Sequence, residues 1–366
     1  REVSQVMRLA MSTGGGDAPG LNAVIRGAVL SAVHRGWAVY GIQKGFGGLL
    51  GGDKVMSLGP DEVRGITHLG GTILGTTNRS SPFKWPVPQP DGTIKDVDRS
   101  DELIAAFQAH GFDGLIMIGG DGSLRIAQQL FDKGLPVVGV PKTIDNDVCG
   151  TVTTFGFDTA VSTATDALDK VHSTAESHDR VMVVEVMGRY AGWIALNSGL
   201  SGSADVILIP EIPFDIESVC RKVMERDARG RRFSIVVVAE GATPLGGSVV
   251  TLAPAGHGGS MERLGGIAER VAAAIEERTG KETRSLTLGH LQRGGRPTTF
   301  DRLLSLRFGA AAVRCAAEGR YGMMVAHVPP TIGYVPLKEA LAKPKLVPLD
   351  LDTVLMAREI GVCLGD

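Results

Sequence analysis

Short apolar segments alternate with helical stretches along nearly the whole of this 366-residue chain, and this alternation constrains the fold more than any other feature. The apolar segments resemble buried strands, whereas the stretches between them repeat their apolar residues with the helical period of about 3.6. Strands that alternate with helices in this way form doubly wound, mainly parallel sheets. Because a chain of this length exceeds one ordinary hydrophobic core, we predict an α/β fold with two doubly wound lobes.

The pattern assigns individual segments to strands and helices. The predicted strands are 7–12, 37–42, 114–118, 137–140, 181–186, 206–209, 234–239, 284–288 and 323–327. The predicted helices are 22–34, 102–110, 124–131, 159–175, 216–225, 265–278 and 302–317. A stretch rich in proline and polar residues, 80–98, is predicted to be a long loop.

Charge and cysteine usage argue against several classes of protein. The formal net charge of −2 gives no support to a nucleic acid or a membrane surface as a partner. No apolar run approaches the roughly 18 residues of a membrane-spanning helix, and the first residues show no signal-peptide pattern. The four cysteines are widely spaced without a CxxC pair, which argues against a disulfide framework or a zinc site. We therefore expect a cytoplasmic protein.

Polar and glycine-rich segments follow four of the predicted strands. These segments are 13–17, 119–123, 141–147 and 188–189. Ligands of doubly wound sheets bind at the carboxyl ends of strands, so the four segments predict one shared site. Glycine accounts for 50 of the 366 residues. Its abundance is explained either by tight turns or by backbone that lies close to phosphate ligands.

The segment 119–123 (GGDGS) connects a predicted strand to a predicted helix. The start of a helix favours an anion, but an acidic residue there repels phosphate unless it holds a divalent cation. Asp121 is therefore a candidate Mg²⁺ ligand, and the alternative is that Asp121 caps the helix. The similar segment 14–20 (GGGDAPG) is no Walker A loop and lacks the third glycine of GxGxxG, so a nucleotide site there would be of an unusual type.

The segment 141–147 (PKTIDND) carries a hydroxyl and two carboxylates. In an extended conformation, Thr143, Asp145 and Asp147 project to one side of the chain. Such a group suits general-base catalysis on an alcohol, with support from a cation. The alternative is an Asx-type turn in a surface loop.

Cationic side chains fall at or near predicted strand ends in the second half of the chain, namely at Arg180, Arg189, Arg284, His290 and Arg293. Because guanidinium groups bind phosphate through paired donors, a cluster of them predicts a sugar-phosphate site. Taken singly, each arginine is also explained by a solvated surface position, and His290 by a structural role. Glu240 is a candidate ligand for sugar hydroxyls or a cap of the next turn, and Met187 is explained by packing.

Together these segments resemble the bacterial 6-phosphofructokinases over nearly the whole chain. The matches, in the order of the family, are GGGDAPGLNAVIRG (14–27), GGTILG (70–75), IGGDGS (118–123), PKTIDND (141–147), AESHDRVMVVEVMGRYAGWIAL (175–196), AEGATP (239–244), GKETRSLTLGHLQRGG (280–295) and PTTFDRLLSLRFG (297–309). The resemblance implies an enzyme that transfers a phosphoryl group to the 1-hydroxyl of fructose 6-phosphate. It implies a nucleotide-binding lobe (1–156 with 292–342), a sugar-phosphate-binding lobe (157–291) and a carboxy-terminal extension that packs on the lobes (343–366).

The resemblance also implies roles for residues. Asp145 would be the base that takes the proton of the sugar hydroxyl, Thr143 would contact the transferring phosphoryl group, and Asp147 would orient the metal or the base. Arg189 completes the catalytic set. The nucleotide-binding residues would be Gly15, Gly16, Arg79, Gly120, Asp121, Gly122, Ser123 and Lys142, with Asp121 on Mg²⁺. The residues for fructose 6-phosphate would be Thr143, Asp145, Arg180, Met187, Gly188, Arg189, Glu240, Arg284, His290 and Arg293.

Family members place the equivalents of Arg180 and Arg284 in the site of a neighbouring subunit. The resemblance therefore implies a homodimer or homotetramer with shared active sites. The family's effector pocket uses several basic residues, and Arg26, Arg229, Arg231 and Arg232 fall at or near matching positions. Leu30 and His172 replace two of the expected arginines, so control by ADP or phosphoenolpyruvate in the usual form is not implied.

Two residues bear on the phosphoryl donor that the resemblance implies. In the family, glycine at the position of Gly122 leaves room for the adenosine-linked phosphate, whereas pyrophosphate users commonly carry aspartate there. A basic residue at the position of Lys142 is typical of pyrophosphate users, but members that combine both features are generally ATP-dependent. ATP is the expected donor and pyrophosphate the alternative.

Two functions of other classes remain as alternatives. An NAD-type oxidoreductase would share the fold class, but the incomplete GxGxxG motif weakens that interpretation. A non-catalytic sugar-phosphate sensor predicts loss of the base or of the metal ligand, yet Asp145 and Asp121 are both present.

Overall fold

The computed structural model describes residues 6–79 and 81–366, so that 1–5 and Ser80 lie outside the description. The described chain has an α/β fold with two main sheets, which confirms the predicted fold class. The strands are β1 (Arg8–Thr13), β2 (Ala38–Ile42), β3 (Val55–Leu58), β4 (Trp85–Pro88), β5 (Ile94–Val97), β6 (Gly114–Gly119), β7 (Val137–Thr143), β8 (Phe155–Gly156), β9 (Val181–Val186), β10 (Val206–Leu208), β11 (Ser234–Ala239), β12 (Thr251–Ala253), β13 (Arg263–Leu264), β14 (Thr283–Thr287), β15 (Met323–Val328) and β16 (Thr331–Pro336).

Helices connect most of these strands. They are α1 (Leu21–His34), α2 (Gly47–Leu50), α3 (Ser100–Ala109), α4 (Asp121–Asp132), α5 (Phe157–Ser177), α6 (Trp193–Ser201), α7 (Ile216–Ala228), α8 (Ile267–Thr279), α9 (Thr299–Ala317), α10 (Leu337–Ala340) and α11 (Asp352–Glu359). Short 3₁₀ helices cover Pro82–Lys84, His257–Gly259 and Gly289–Arg293. Within the described chain, no helix combines the length and the hydrophobicity that crossing a membrane requires.

The first sheet has eight strands in the order β16-β15-β7-β6-β1-β2-β3, with β8 paired to β7. Its central pairs are parallel, and the outer pairs β15–β16 and β2–β3 are antiparallel. The helices α1 and α9 cover one face, whereas α3 and α4 cover the other. Because both faces are covered, β6 is apolar and buried along its whole length instead of alternating in polarity.

The second sheet consists of four parallel strands in the order β10-β11-β9-β14. The helices α5, α6 and α11 pack on one face, and α7 and α8 pack on the other. Every residue of the central strand β11 is buried as a result. Both sheets therefore have the two covered faces of a doubly wound lobe.

Parallel strands bring the candidate segments to common sheet edges. In the first sheet, Thr13 of β1 pairs with Ile118 of β6, and Gly119 pairs with Pro141 of β7. The segments that follow these three strands consequently lie side by side. In the second sheet, the last residues of β9 and β11 pair in the same way, so the segments after 186 and 239 are neighbours. Strand register thus assembles residues that are far apart in the sequence.

The structure corrects three of the segment predictions. Residues 141–143, expected after a strand, are the last residues of β7. The extended conformation expected for 143–147 ends at Thr143, because Asn146 has a left-handed φ of 53°. The stretch 80–98, expected to be a loop, contains a 3₁₀ helix and the antiparallel hairpin β4–β5. Proline and charged residues in the hairpin conceal the alternation by which a strand is predicted.

The carboxy-terminal residues pack against the second lobe. Val354, Ala357 and Leu364 are buried in the core that α5 and α6 form with the second sheet. Cys363 also forms a parallel bridge with Val206, the first residue of β10. The boundaries placed after residues 156, 291 and 342 stay a prediction.

Candidate active site

The loop after β1 lies against the end of β7. Lys142, only 4% exposed, donates a hydrogen bond from its ammonium group to the backbone carbonyl of Gly16. Burial, and then the charge of Arg293, lower the pKa of Lys142 to about 8, whereas nearby carboxylates, including those of Asp145 and Asp17, raise it. The amine thus lies among both acidic and basic groups of the candidate site.

Gly16 lies in close contact with the end of the Arg293 side chain. A Cβ atom on Gly16 would lie 2.8 Å from Nη1 of Arg293, and this nitrogen also donates to the backbone carbonyl of Asp17 at 3.3 Å. Arg293 ends the 3₁₀ helix that follows β14 of the second sheet. The contact therefore joins the loop after the first strand of one lobe to a strand end of the other lobe.

The amino terminus of α4 faces the loop after β1. Gly120 precedes the helix in an extended conformation, and Ser123 packs closely on the loop, since a Cβ atom on Gly14 would lie 2.7 Å from its hydroxyl oxygen. At Gly122, by contrast, a Cβ atom would meet no atom within 4 Å. Unpaired amides in the first turn, next to open space, suit an anionic ligand.

Gly120 occupies the N-cap position of α4, so Asp121, the first residue of the helix, is not its cap. Its carboxylate instead pairs with Arg125 at 2.9 Å, and 39% of the Asp121 side chain is exposed. Exposed ion pairs of this kind contribute only about 0–1 kcal/mol. Asp121 can therefore exchange Arg125 for another cation at little cost.

Three carboxylates from two segments converge. Asp145 is 3% exposed. The backbone N–H of Asp145 donates a hydrogen bond to Oγ1 of Thr143 at 3.0 Å. Burial, and then the charges of Asp145 and Asp121, raise the pKa of Asp147 to about 7, against the opposing charge of Arg189. Oδ1 of Asp145 and Oδ1 of Asp147 are buried without a hydrogen-bond partner in the described part of the chain. Because buried carboxylate oxygens are normally paired, these two atoms indicate that a ligand completes the site.

Glu240 connects the ends of β11 and β9. Its Oε1 accepts hydrogen bonds from the backbone N–H of Gly188 at 3.3 Å and of Arg189 at 2.9 Å. Burial, and then the charge of Asp145, raise the pKa of Glu240 to about 7, against the charge of Arg189. Nη2 of Arg189 is buried with no partner among the residues described. The second lobe thus presents an acidic side chain and an incompletely paired guanidinium group to the carboxylates of the first lobe.

Arg180 and Arg284 do not join this group. They lie at the amino ends of β9 and β14, where both pair with Oε1 of Glu282, at 2.9 Å and 2.6 Å. The other predicted sugar-phosphate residues follow the carboxyl ends of strands. Because β9 has six residues, its two ends are about 20 Å apart. The two arginines therefore lie far from the carboxylates of their own chain.

The remaining predicted site residues occupy more open positions. His290 is exposed in the 3₁₀ helix Gly289–Arg293. Arg79 is exposed and follows Thr76, whose hydroxyl donates to the backbone carbonyl of Gly15 at 2.6 Å. Met187 is partly buried, and its backbone N–H donates to Oε1 of Gln292 at 3.3 Å.

Three of the residues at the effector positions have local partners. Arg26 donates to the backbone carbonyl of Val63 at 2.7 Å, and the ring of His172 is hydrogen-bonded to the carbonyl of Gly202 at 2.7 Å. Arg232 lies 3.6 Å from the carboxylate of Asp179. Their role in regulation stays untested.

Sequence reasoning missed three residues of this region. Asp17 contributes a carboxylate near Lys142, Asn146 forms the left-handed turn between two aspartates, and Gln292, fully buried, holds the backbone at Met187. All three lie inside the motifs that carried the resemblance. Each is a polar residue adjacent to, or within one position of, an assigned residue of its motif, and this was the available signal.

The donor atoms of the site are of the type that Mg²⁺ prefers. Asp121 offers a carboxylate held only by an exposed ion pair, and Asp145 and Asp147 offer buried oxygens without partners among the described residues. Mg²⁺ is commonly bound by one or two carboxylates together with substrate phosphates. No three His, Cys, Asp or Glu side chains within residues 6–79 and 81–366 are placed to hold a metal ion by themselves, so a bound Mg²⁺ would need phosphate oxygens among its ligands.

An anion-binding loop, a helix amino terminus, converging carboxylates and cationic side chains at the ends of parallel strands are typical of enzymes that transfer phosphoryl groups. The sequence matches the family model for phosphofructokinase over residues 8–316. The chain belongs to the phosphofructokinase family.

Relatives of similar length match along the whole chain. It is 53% identical over 363 residues to a Chloroflexus aurantiacus protein named ATP-dependent 6-phosphofructokinase, with 99% of each chain covered. It is 47% identical over 368 residues to ATP-dependent 6-phosphofructokinase 1 of Synechocystis, with 100% of each chain covered. These values agree with the family assignment.

Solved structures show the same fold. Phosphofructokinase of Pichia pastoris in the T-state superposes with a TM-score of 0.79 at 32% identity, covering 93% of this chain. This chain spans only 36% of that longer yeast chain. Pyrophosphate-dependent phosphofructokinase of Marinobacter aquaeolei superposes with a TM-score of 0.77 at 24% identity, covering 99% of this chain and 93% of the other. The latter likeness concerns the fold alone.

Proposed function

We propose that this chain transfers the γ-phosphoryl group of ATP to the 1-hydroxyl of fructose 6-phosphate, the reaction that forms fructose 1,6-bisphosphate in glycolysis. The observation that carries the proposal is the convergence of Asp121, Asp145 and Asp147 with Lys142 and Arg189 at strand ends of two lobes. The names of the Chloroflexus and Synechocystis relatives support the same reaction. We also propose, from its relatives, that the protein acts in the cytoplasm.

The two lobes would divide the binding of the substrates. The loop of Gly15 and Gly16 and the amino terminus of α4 would hold the phosphates of the nucleotide through backbone amides. Glu240 and Arg189, together with Met187, Gly188, His290 and Arg293, would hold fructose 6-phosphate on the opposite wall. Such a division places the acceptor hydroxyl in line with the terminal phosphate, and positioning is the larger part of catalysis in phosphoryl transfer.

Asp145 would act as the general base. It is buried, and its Oδ1 atom has no other partner among the described residues, so it is available to accept the proton of the sugar hydroxyl as the new phosphate ester forms. General-base catalysis of this kind contributes about 10²–10⁴-fold. Thr143, whose hydroxyl accepts a hydrogen bond from the backbone N–H of Asp145, would lie beside the transferring phosphoryl group.

Cationic groups would balance the charge of the moving phosphoryl group. Lys142 and Arg189 lie next to the carboxylates, where fixed positive charge stabilises the transition state. Mg²⁺, held by Asp121 with Asp147 beside it, would supply further neutralisation of the phosphate oxygens when bound. The side chains present fit that role.

Pyrophosphate is the second candidate donor. Lys142 favours it, because a buried ammonium next to the anion loop suits a small, highly charged donor. The open space at Gly122 and the names of the relatives favour ATP. Assays of fructose 1,6-bisphosphate formation with each donor, at equal Mg²⁺, separate the two: we expect turnover with ATP at least tenfold above that with pyrophosphate.

Substitution of the base tests the mechanism. We expect Asp145→Ser to lower kcat by about 10²–10⁴-fold, while the affinity for fructose 6-phosphate, measured by calorimetry, changes little. Asp169→Ser is the matched control, because Asp169 is an exposed aspartate of α5 without a hydrogen bond or ion pair to a described residue. If Asp145→Ser keeps wild-type turnover, the assignment of the base is wrong. If the wild-type protein binds the sugar phosphate but turns over with neither donor, the chain is a sensor.

A further inference from the structure

A carboxy-terminal segment lies across the loop that carries the carboxylates. We call residues 344–347 the strap. Pro344 forms an antiparallel bridge with Val148, and the backbone N–H of Lys345 donates to the carbonyl of Asp147 at 2.8 Å. The strap therefore pairs directly with the chain immediately after Asp145.

The second lobe anchors the strap on its other side. Nε1 of Trp193, the first residue of α6, donates to the backbone carbonyl of Lys345 at 2.8 Å. The carboxylate of Glu211 accepts the backbone N–H of Val347 at 2.9 Å and also that of Gly192, which precedes α6. These contacts fix the position of the strap relative to the second sheet.

The ammonium group of Lys345 is satisfied by the same loop. Nζ donates to Oδ1 of Asn146 and to the backbone carbonyls of Thr151 and Val152, each at 2.9 Å. It also lies 5.3 Å from the centre of the Trp193 ring. Three donors thus meet three acceptors, and all three acceptors belong to the segment 146–152.

Asn146 is the residue on which this arrangement acts. It lies between Asp145 and Asp147 with a φ of 53°, a left-handed conformation that is uncommon for residues other than glycine, although asparagine adopts it more readily than most. Its Oδ1 accepts hydrogen bonds from both Lys345 and the backbone N–H of Thr154, the latter at 3.1 Å. The side-chain contacts hold Asn146 in this one conformation among those that its backbone can adopt.

We propose that Lys345 is a positioning residue for phosphoryl transfer: its ammonium group holds Asn146 in the left-handed turn and thereby aims the carboxylates of Asp145 and Asp147. The proposal rests on the proposed function of Asp145. All three hydrogen-bond acceptors of the Lys345 ammonium group belong to the loop, so Lys345 would act through the loop. It would give the carboxy-terminal segment a part in catalysis although that segment lies outside both sheets.

Lys345→Met tests the proposal, because methionine keeps the length of the side chain and removes the ammonium group. We expect kcat to fall at least tenfold, since misplacement of a reacting group by about 1 Å can cost about 10²-fold. The dissociation constant for fructose 6-phosphate should change less than twofold, because most of the proposed ligands of the sugar lie on segments other than 141–147. Lys343→Met is the control. Lys343 immediately precedes the strap, is exposed, and makes no hydrogen bond or ion pair with a described residue.

Asn146→Gly supplies an independent variant. Glycine adopts a φ of 53° without strain but adopts other conformations as readily. Because it also lacks the acceptor for Lys345, nothing holds the turn in this variant, and we expect kcat to fall as well. The fold loss of kcat caused by Lys345→Met should be at least threefold smaller in the Asn146→Gly background than in the wild type, because the two residues act through one contact. A purely structural role of Lys345 would give independent, multiplicative losses instead.

The outcomes separate the two proposals. A folded Lys345→Met variant with wild-type kcat overturns the inference, while wild-type turnover with ATP leaves the proposed function intact. Absence of turnover in the wild type overturns both. If Lys345→Met fails to fold, Asn146→Gly decides: an unchanged kcat overturns the inference, and a tenfold loss with unchanged sugar-phosphate affinity supports it.

Discussion

At the scale of single residues, the site concentrates acidic groups that are costly to ionise. Asp147 and Glu240 both have pKa values raised to about 7, in each case chiefly by burial. Each belongs to the candidate site, and neither is part of the hydrophobic core. The protein therefore gives up stability at neutral pH to keep carboxylates where cations and sugar hydroxyls would bind.

Glu240 makes this cost measurable. Between pH 4.5, the ordinary pKa of the group, and about pH 7 the folded protein retains a proton that the unfolded chain has lost. The contribution of Glu240 to the free energy of unfolding therefore falls as the pH rises through this window. Glu240→Gln removes the titration, so we expect the variant to gain roughly 1–3 kcal/mol relative to wild type between pH 5 and pH 8.

Urea unfolding of both proteins at the two pH values measures this gain. Glu277→Gln is the control, because Glu277 is an exposed residue of α8. Parallel pH dependence of the wild type and Glu240→Gln would show that Glu240 is ionised normally in the folded protein.

At the scale of elements, α1 and α9 pack closely because glycine lies at their contact. A Cβ atom on Gly309 would lie 2.3 Å from the backbone carbonyl oxygen of Val24, and one on Gly27 would lie 2.5 Å from that of Leu306. Both helices bury their contact against the first sheet. The loop of Gly14–Gly16 leads directly into α1, so this packing also fixes one wall of the site.

Gly309→Ala tests the helix contact. Because the obstructing atom belongs to the backbone, the helices must move apart, and we expect the free energy of unfolding to fall by about 1–3 kcal/mol. Gly122→Ala is the matched control within a helix, since its Cβ atom would meet no atom within 4 Å and alanine favours helix by up to about 1 kcal/mol. Equal stability of Gly309→Ala and wild type in urea would contradict this account.

At the scale of the whole molecule, Arg180 and Arg284 are predicted sugar-phosphate ligands that do not reach the candidate site of their own chain. Both are paired with Glu282 at the edge of the second sheet opposite the candidate site. The resemblance to the family explains them as contributions to the site of a neighbouring subunit. We propose on this basis a homo-oligomer of at least two chains with shared active sites.

Mixed oligomers test shared sites. We expect Asp145→Ser and Arg284→Ala each to lose most activity alone. If the two variants are co-expressed, half of the dimeric pairs would contain one chain of each variant. Each mixed pair would have one site with Asp145 and Arg284 both intact and one site with both replaced. One quarter of all sites would therefore be intact, and we expect about a quarter of wild-type activity. A mixture no more active than its two parents would show that each site is built from one chain.

The sequence predicted much of this structure because its signals are local. The buried strand 181–186 was predicted with its observed bounds, because a short apolar run flanked by turn residues predicts a strand without information about its neighbours in the sheet. The segments at strand ends were also identified, although their roles stay predictions. The hairpin β4–β5 was missed because its pairing, and not its pattern of residues, defines it.

By itself, the sequence determined the α/β class, nine of the sixteen strands and seven of the eleven α-helices of the described chain in their order, and the residue types available at the strand ends. Only the tertiary structure decided which of these residues meet. It brought Asp121, Asp145, Asp147 and Arg189 together, left Arg180 and Arg284 apart, and laid Lys345 across the turn at Asn146. The physical reason is that periodicity and turn propensity act between near neighbours, whereas strand register, burial and charge coupling depend on distances that exist only once the sheets have formed.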